Sequence, residues 1–250
     1  TRDTYQSLTS AIAMAPGLFL QQLYPYIHTV RSDYKNKWLP LKKDKEKRHS
    51  RFIHDCQYSD LKVFQNIYRH IPEDTILHIA NSSPIRYAQL FNNTNETYCN
   101  RGTSGIDGCT STAMGAAAAR PDKSYLLITG DVAFHYDMNA LWNEKNIRNL
   151  KIIIINNGGG GIFRIIEGPD EAQEREKFYE TTMKANIEKI AAHYNWNYLA
   201  IKKEEQLTGV LSEFFSPEKE KIILEIFTDA ETNPVVLKDY WKYLNESHEI

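Results

Sequence analysis

Tyr125-Leu-Leu-Ile-Thr-Gly130-Asp131 and Lys151-Ile-Ile-Ile-Ile-Asn156-Asn157-Gly158-Gly159-Gly160-Gly161-Ile162-Phe163 decide how the rest of the chain is read. Each begins with a short apolar run and breaks abruptly into small or polar residues. Such runs predict strands buried on both faces of a parallel sheet. Between them, residues 133–149 carry Met138, Leu141, Trp142 and Ile147 at roughly helical spacing, which predicts a helix. Strand, helix and strand make one βαβ unit, in which both strands run the same way and their carboxyl ends share one edge. Asp131 and Asn157 are therefore expected side by side, although 25 residues lie between them.

A carboxylate and an amide oxygen are hard ligands suited to Mg²⁺ or Ca²⁺. The four glycines from Gly158 let the backbone approach a ligand and turn its polar groups inward. Two side-chain oxygens and one carbonyl leave about half an octahedron open, which Mg²⁺ usually fills with phosphate oxygens and water. A phosphorylated ligand at the carboxyl edge of the sheet follows. The same residues have plainer uses, since Asp after Gly often caps a helix and Asn-Asn-Gly often makes a turn. They do not form a dinucleotide Gly-x-Gly-x-x-Gly loop, because positions 163 and 164 are Phe and Arg.

Taken together, Gly130-Asp131, about 25 residues and then Asn156-Asn157 resemble the diphosphate-binding motif of thiamine diphosphate (ThDP) enzymes. The resemblance implies Asp131, the Asn157 side chain and the Gly159 carbonyl as ligands of Mg²⁺ or Mn²⁺. It also places Gly130, Val132 and Gly160 against ThDP. Val132 stands where the family usually has glycine.

The 250 residues suffice for one large core, or a domain plus part of another. Hydrophobic residues make up 42 %, charged residues 25 %, and the formal charge is −2, an ordinary globular composition without a nucleic-acid footprint. No apolar run approaches the roughly 20 residues of a membrane span, and no signal peptide opens the chain. Cys56, Cys99 and Cys109 lack C-x-x-C spacing and read as reduced thiols of a cytoplasmic protein. The chain begins without Met, in the middle of amphipathic sequence, as expected of a piece of a longer protein.

Residues 5–23 are expected to be helical, and Pro25, Pro40 and the charged run 42–48 to form a solvated connection. Residues 1–57 then read as the end of a preceding domain plus linker, and 58–250 as one α/β domain. Within it the pattern predicts a helix over 59–71 capped by Ser59 or Asp60, a strand over 75–80, a helix over 85–90 begun by Pro84, and a short strand over 97–99. A helix over 109–120, rich in alanine, follows. Helices over 187–194, 204–215 and 235–244 alternate with strands over 198–201 and 221–227. His193 reads as packing or surface.

Two further loops end at the same edge. Asn81-Ser82-Ser83-Pro84 with Arg86 follows one strand, and Asn100-Arg-Gly-Thr-Ser-Gly-Ile-Asp-Gly108 follows another. The second resembles, within the ThDP family, the 2-succinyl-5-enolpyruvyl-6-hydroxy-3-cyclohexene-1-carboxylate synthases of menaquinone biosynthesis. The likeness covers residues 58–250. It implies decarboxylation of 2-oxoglutarate and addition of the succinyl unit to isochorismate. Both are dicarboxylates, which suit the planar forks of Arg86 and Arg101, aided by Asn81 and Ser82. By the same likeness Ser104 and Ile106 meet the cofactor, Ile106 as an apolar wedge, and Ile162, Phe163 and Ile166 wall the site.

The architecture expected is α/β, about six mostly parallel strands with helices on both faces. ThDP enzymes take an activating Glu from a partner subunit's pyrimidine-binding domain, which is expected to lie outside this chain. The isolated chain is then expected to be inactive, with apolar surface open around Ile106, Ile162, Phe163 and Ile166, and the complete enzyme to be a homodimer or homotetramer. Another ThDP lyase of the acetolactate-synthase kind, and a non-catalytic Rossmann-like module, remain as alternatives.

Overall fold

Among the described residues there are six strands, most of them grown from apolar runs: β1 (Ile76–Ile79), β2 (Thr97–Tyr98), β3 (Tyr125–Gly130), β4 (Leu150–Asn156), β5 (Asn197–Ile201) and β6 (Ile222–Phe227). They form one sheet in the order β2-β1-β3-β4-β6-β5, with every pairing parallel. Alternate residues face opposite layers, as the two-residue period of a strand requires. Leu77, Leu126, Ile153 and Leu224 pack with Phe64, Tyr87, Phe214 and Leu237 on one face. Ile76, Leu127, Ile152 and Ile154 pack with Met114, Phe134, Ile187 and Ala191 on the other.

The computed structural model describes residues 3, 6–143, 147–166, 174–182 and 185–246. It divides into two compact units, Thr1–Asp44 and Lys45–Ile250. In the first, the helix expected over 5–23 is confined to α1 (Pro16–Leu23). Proline disfavours helical backbone in the residue before it, and Ala15 is extended at φ −60°, ψ 132°. The stretch expected as a solvated connection is instead α2 (Tyr34–Asp55), with Pro40 inside it. Its Lys, Glu and Arg residues are strong helix formers. Arg48 is 8 % exposed and donates to the carbonyls of Tyr243 at 2.7 Å and Glu246 at 2.8 Å. These are orphan carbonyls at the end of the last helix.

The remaining helices are α3 (Asp60–His70), α4 (Ser83–Ala88), α5 (Cys109–Ala119), α6 (Asp131–Asp137), α7 (Arg175–Phe178), α8 (Ile187–His193), α9 (Leu207–Phe215) and α10 (Thr232–Asn245). The helix expected over 133–149 is shorter. It leaves helical backbone at Asp137 and continues as a 3₁₀ turn, Met138–Trp142, while 144–146 lie outside the described residues. The Asp137 carboxylate accepts the Ser111 N–H at 2.6 Å, and so caps α5. Leu141 is buried, whereas Trp142 is 70 % exposed. Among the described residues no helix is long and apolar enough to cross a membrane. Cys56, Cys99 and Cys109 are free thiols.

The strand order reverses between β1 and β3. From β1 the chain crosses to β2 on one side, then returns past β1 to β3 on the other. Open α/β sheets bind ligands in the crevice at the carboxyl ends of such a switch point.

The core assignment has a direct check. Phe214→Ala removes a fully buried ring and is expected to lower unfolding free energy by about 3–5 kcal/mol. Trp142→Ala is expected to change it by less than about 0.5 kcal/mol. Urea denaturation of the two variants reads the difference.

Candidate functional site

A cavity of about 510 Å³ opens at this switch point. Asn81, Ser82 and Arg86 enter from the end of β1 and from α4, and Arg101, Ser104 and Ile106 from the loop before α5. The end of β3 contributes Gly130, Asp131 and Val132, and the segment after β4 contributes Asn157, Gly159, Gly160, Ile162 and Phe163. Ile166, expected as a wall, does not line the cavity. Its N–H bonds the Ile162 carbonyl at 3.2 Å, and its side chain is 36 % exposed. The apolar surface expected to lie open here is partly closed. Ile162 is buried, and Ile106 is half-buried against Ala80, Cys109 and Ala133.

The β3–β4 register pairs Gly130 with Ile155, so Asp131 and Asn157 emerge next to each other. They are 4 % and 7 % exposed. Burial raises the Asp131 carboxyl to about 7; the N–H groups of Val132 and Gly159 pull it down, while the Asp60 carboxylate pushes it up. Among the described residues no ion pair offsets Asp131. No three His, Cys, Asp or Glu side chains there converge on a metal position. A buried carboxylate beside an amide oxygen and a glycine turn fits a hard dication that takes its other ligands from phosphate and water.

The turn is built for close backbone approach. Gly159 has φ +136°, and a Cβ there would lie 2.5 Å from the Glu180 carbonyl oxygen. A Cβ on Gly161 would lie 2.9 Å from Asn157 Nδ2. The Gly160 N–H donates to the Glu180 carbonyl. Glu180 in turn pairs with Arg164 at 2.8 Å and Arg175 at 2.7 Å.

On the opposite rim, Asn81 is 1 % exposed. Its amide donates to the carbonyls of Asn100 at 2.6 Å and Gly105 at 2.7 Å, and its oxygen accepts from Arg101 Nη1 at 3.1 Å. Asn81 was expected to add a hydrogen bond at the site; both its donors are taken by the protein. Asn81 braces the loop and one corner of the Arg101 fork. Arg86 is exposed and donates to the Ser82 carbonyl at 2.8 Å. Ser82 at φ +74° and Ser104 at φ +58° hold left-handed backbone, which costs non-glycine residues about 1–3 kcal/mol where it is strained.

Asp60, Tyr136, Tyr179 and Glu180 also line the cavity and were not expected there. Asp60 read as a helix cap, yet neither it nor Ser59 caps α3 with a side chain. No local pattern around residues 179–180 signals that they reach the glycine turn.

Asp131 gives a pH signature to the metal-free chain. Its folded pKa of about 7 exceeds the unfolded value of about 4, so the folded state holds the proton more tightly. This contribution is fully present below about pH 4 and is lost as pH rises through 7. In a chelator-containing buffer the melting temperature is expected to fall from about pH 5 to pH 8, with a smaller fall in Asp131→Asn.

The family model "Thiamine pyrophosphate enzyme, C-terminal TPP binding domain" matches residues 82–226. A 2-succinyl-5-enolpyruvyl-6-hydroxy-3-cyclohexene-1-carboxylate synthase of Flavobacterium psychrophilum is 42 % identical over 244 residues, covering 97 % of this chain and 44 % of that protein. Synthases of the same name from Christiangramia forsetii and Bacteroides thetaiotaomicron are 44 % and 36 % identical, covering 82 % and 98 % of this chain and 36 % and 43 % of theirs. The chain thus spans less than half the length of these relatives. Sheet order, switch-point cavity and sequence agree: this chain belongs to the thiamine pyrophosphate enzymes and carries their C-terminal TPP-binding domain.

Proposed function

We propose that this chain supplies the diphosphate- and metal-binding part of a ThDP-dependent synthase that decarboxylates 2-oxoglutarate and joins the succinyl unit to isochorismate in menaquinone biosynthesis. The observation that carries the reading is the shared cavity. Asp131, Asn157 and the glycine turn meet two arginine forks there, at the switch point of a parallel sheet. The names of the similar synthases support the same reaction.

In this reading Asp131, the Asn157 amide oxygen and the Gly159 carbonyl hold Mg²⁺ or Mn²⁺, with diphosphate oxygens and water completing the shell. Bound ThDP supplies the chemistry by which a 2-oxo acid loses carbon dioxide and its remainder becomes a carbon nucleophile. The chain's own residues bind, orient and exclude water. Gly130, Val132 and Gly160 let the cofactor approach the backbone, while Ile106 supports it and Ile162 and Phe163 keep its surroundings dry. Ser104, on the same loop, adds a hydroxyl towards the cofactor. Arg86 and Arg101 take substrate carboxylates with planar donor pairs, Ser82 adds a hydroxyl, and Asn81 fixes Arg101. The pyrimidine-binding half, with its activating Glu, belongs to other parts of the protein and its homo-oligomer, and residues 58–250 form the diphosphate domain.

Asp131→Ala removes the one carboxylate of the proposed metal shell. Calorimetric titration of the complete enzyme with ThDP and Mg²⁺ is expected to show binding collapse; unchanged affinity would displace the metal site. Arg101→Lys keeps the charge but loses the fork. Melting temperature and ThDP affinity are expected to hold, while kcat/KM for 2-oxoglutarate and isochorismate falls on the order of 10-fold or more. Normal kinetics with a large loss of melting temperature would make Arg101 a structural residue.

A further inference from the structure

An asparagine amide has a donating and an accepting end, and only the oxygen end ligates a metal. At Asn157 the choice between them is made by a residue 97 positions away. Asn157 Nδ2 donates to Asp60 Oδ2 at 2.9 Å, at the first turn of α3. Among the described residues no donor occupies Asn157 Oδ1. Asp60 is itself immobilised: its other oxygen accepts the Thr228 hydroxyl at 2.6 Å, and its N–H donates to Asn233 Oδ1 at 2.8 Å. Asn233 Nδ2 closes the ring on Thr228 Oγ1 at 3.1 Å. Asp60 and Asn233 are 1 % and 5 % exposed.

We infer that Asp60 is a positioning residue of the metal site, which locks the Asn157 amide with its oxygen towards the bound cation. A rotated amide would set its oxygen against a carboxylate oxygen and its N–H groups against the metal. Both contacts are repulsive, so the Asp60 carboxylate makes one orientation dominant before any metal arrives. Outer partners of this kind typically raise metal affinity about 10–100-fold by fixing ligand orientation. The inference rests on the metal reading of Asp131 and Asn157, and the experiment separates the two.

The free Mn²⁺ paramagnetic signal, followed in the presence of ThDP, gives the Mn²⁺ affinity of the chain without reference to turnover. Asp60→Ala is expected to weaken it about 10–100-fold, as is the nearly isosteric Asp60→Leu, which guards against loss of fold in the smaller variant. The deciding measurement is the pair with Asn157→Ala. If Asp60 acts through the amide, Asp60→Leu adds almost nothing once Asn157 is alanine. Independent, additive losses would mean that Asp60 ligates the metal directly or merely supports the fold, and would overturn the inference. An unaffected Mn²⁺ affinity in Asp60→Leu, with Asn157→Ala impaired, would overturn it as well. Unchanged affinity in Asn157→Ala and Asp131→Ala alike would instead remove the metal reading itself.

Discussion

Asp131 and Asn157 meet because β3 and β4 run parallel in a register that sets Gly130 against Ile155. Every other property of the site depends on that ladder. Strand side chains alternate between faces, so a slip of one residue would carry Ile152 and Ile154 to the layer of Ile153 and Ile155. Both layers are closed by buried rings, Phe64 and Phe214 on one side and Phe134 on the other, so neither accepts the exchange without cavities or overpacking. The core thus fixes the position of two polar residues that lie beyond the strand ends. The site lies at the edge because the sheet itself is filled.

The ladder brings the donors together, and the glycine turn gives them room. Its backbone is approached by residues 179, 180 and 182, so that a Cβ on Gly159 would clash with the Glu180 carbonyl and one on Gly160 would crowd Tyr179 and Glu180. That segment is anchored by Glu180, which holds Arg164 with both at 8 % exposure or less. Glu180's hydrogen bond keeps the Arg164 guanidinium above its ordinary range. A buried ion pair adds little net stability because desolvation offsets attraction, but removing one partner leaves an uncompensated charge. Such a pair specifies geometry more than it stabilises the fold. Here it fixes how Glu180, whose carbonyl accepts the Gly160 N–H, sits against the glycine turn.

The parallel sheet was legible because its central strands are uninterrupted Ile and Leu runs ending in Gly-Asp and Asn-Asn-Gly. That same punctuation revealed the residues at the strand ends. Two kinds of feature stayed hidden. Helix limits set by tertiary contacts could not be read. Asp137 ends α6 while capping α5, and Arg48 finds the end of α10, so a charged run that looks like a linker forms a helix. Side-chain pairings across long separations were equally invisible. Asp60 has the local appearance of a helix cap, and its bond to Asn157 exists only after the sheet has brought α3 to β4. Asn81 failed in a related way. Its position at the edge was legible, but not that Asn100 and Gly105 would take both its donors.

Two buried carboxylates at one strand edge are an expensive arrangement for stability alone. Burial raises the pKa of both Asp60 and Asp131, and the N–H and O–H donors around them only partly offset it. A chain selected for the fold alone would do better with apolar residues there, as replacements of buried ionic groups often show. The surroundings contrast with them. Phe64 and Tyr87 stack at 5.5 Å directly beside the cavity, part of a tightly filled layer. Packing therefore supplies the rigidity, and the fold leaves at one place two acidic side chains whose ionised forms burial disfavours. A dication would lower the energy of both carboxylates at once, whereas a neutral ligand would lower neither. Under the proposed metal reading, the electrostatic cost of this edge would favour a ligand that brings positive charge together with the oxygens that complete the cation's shell.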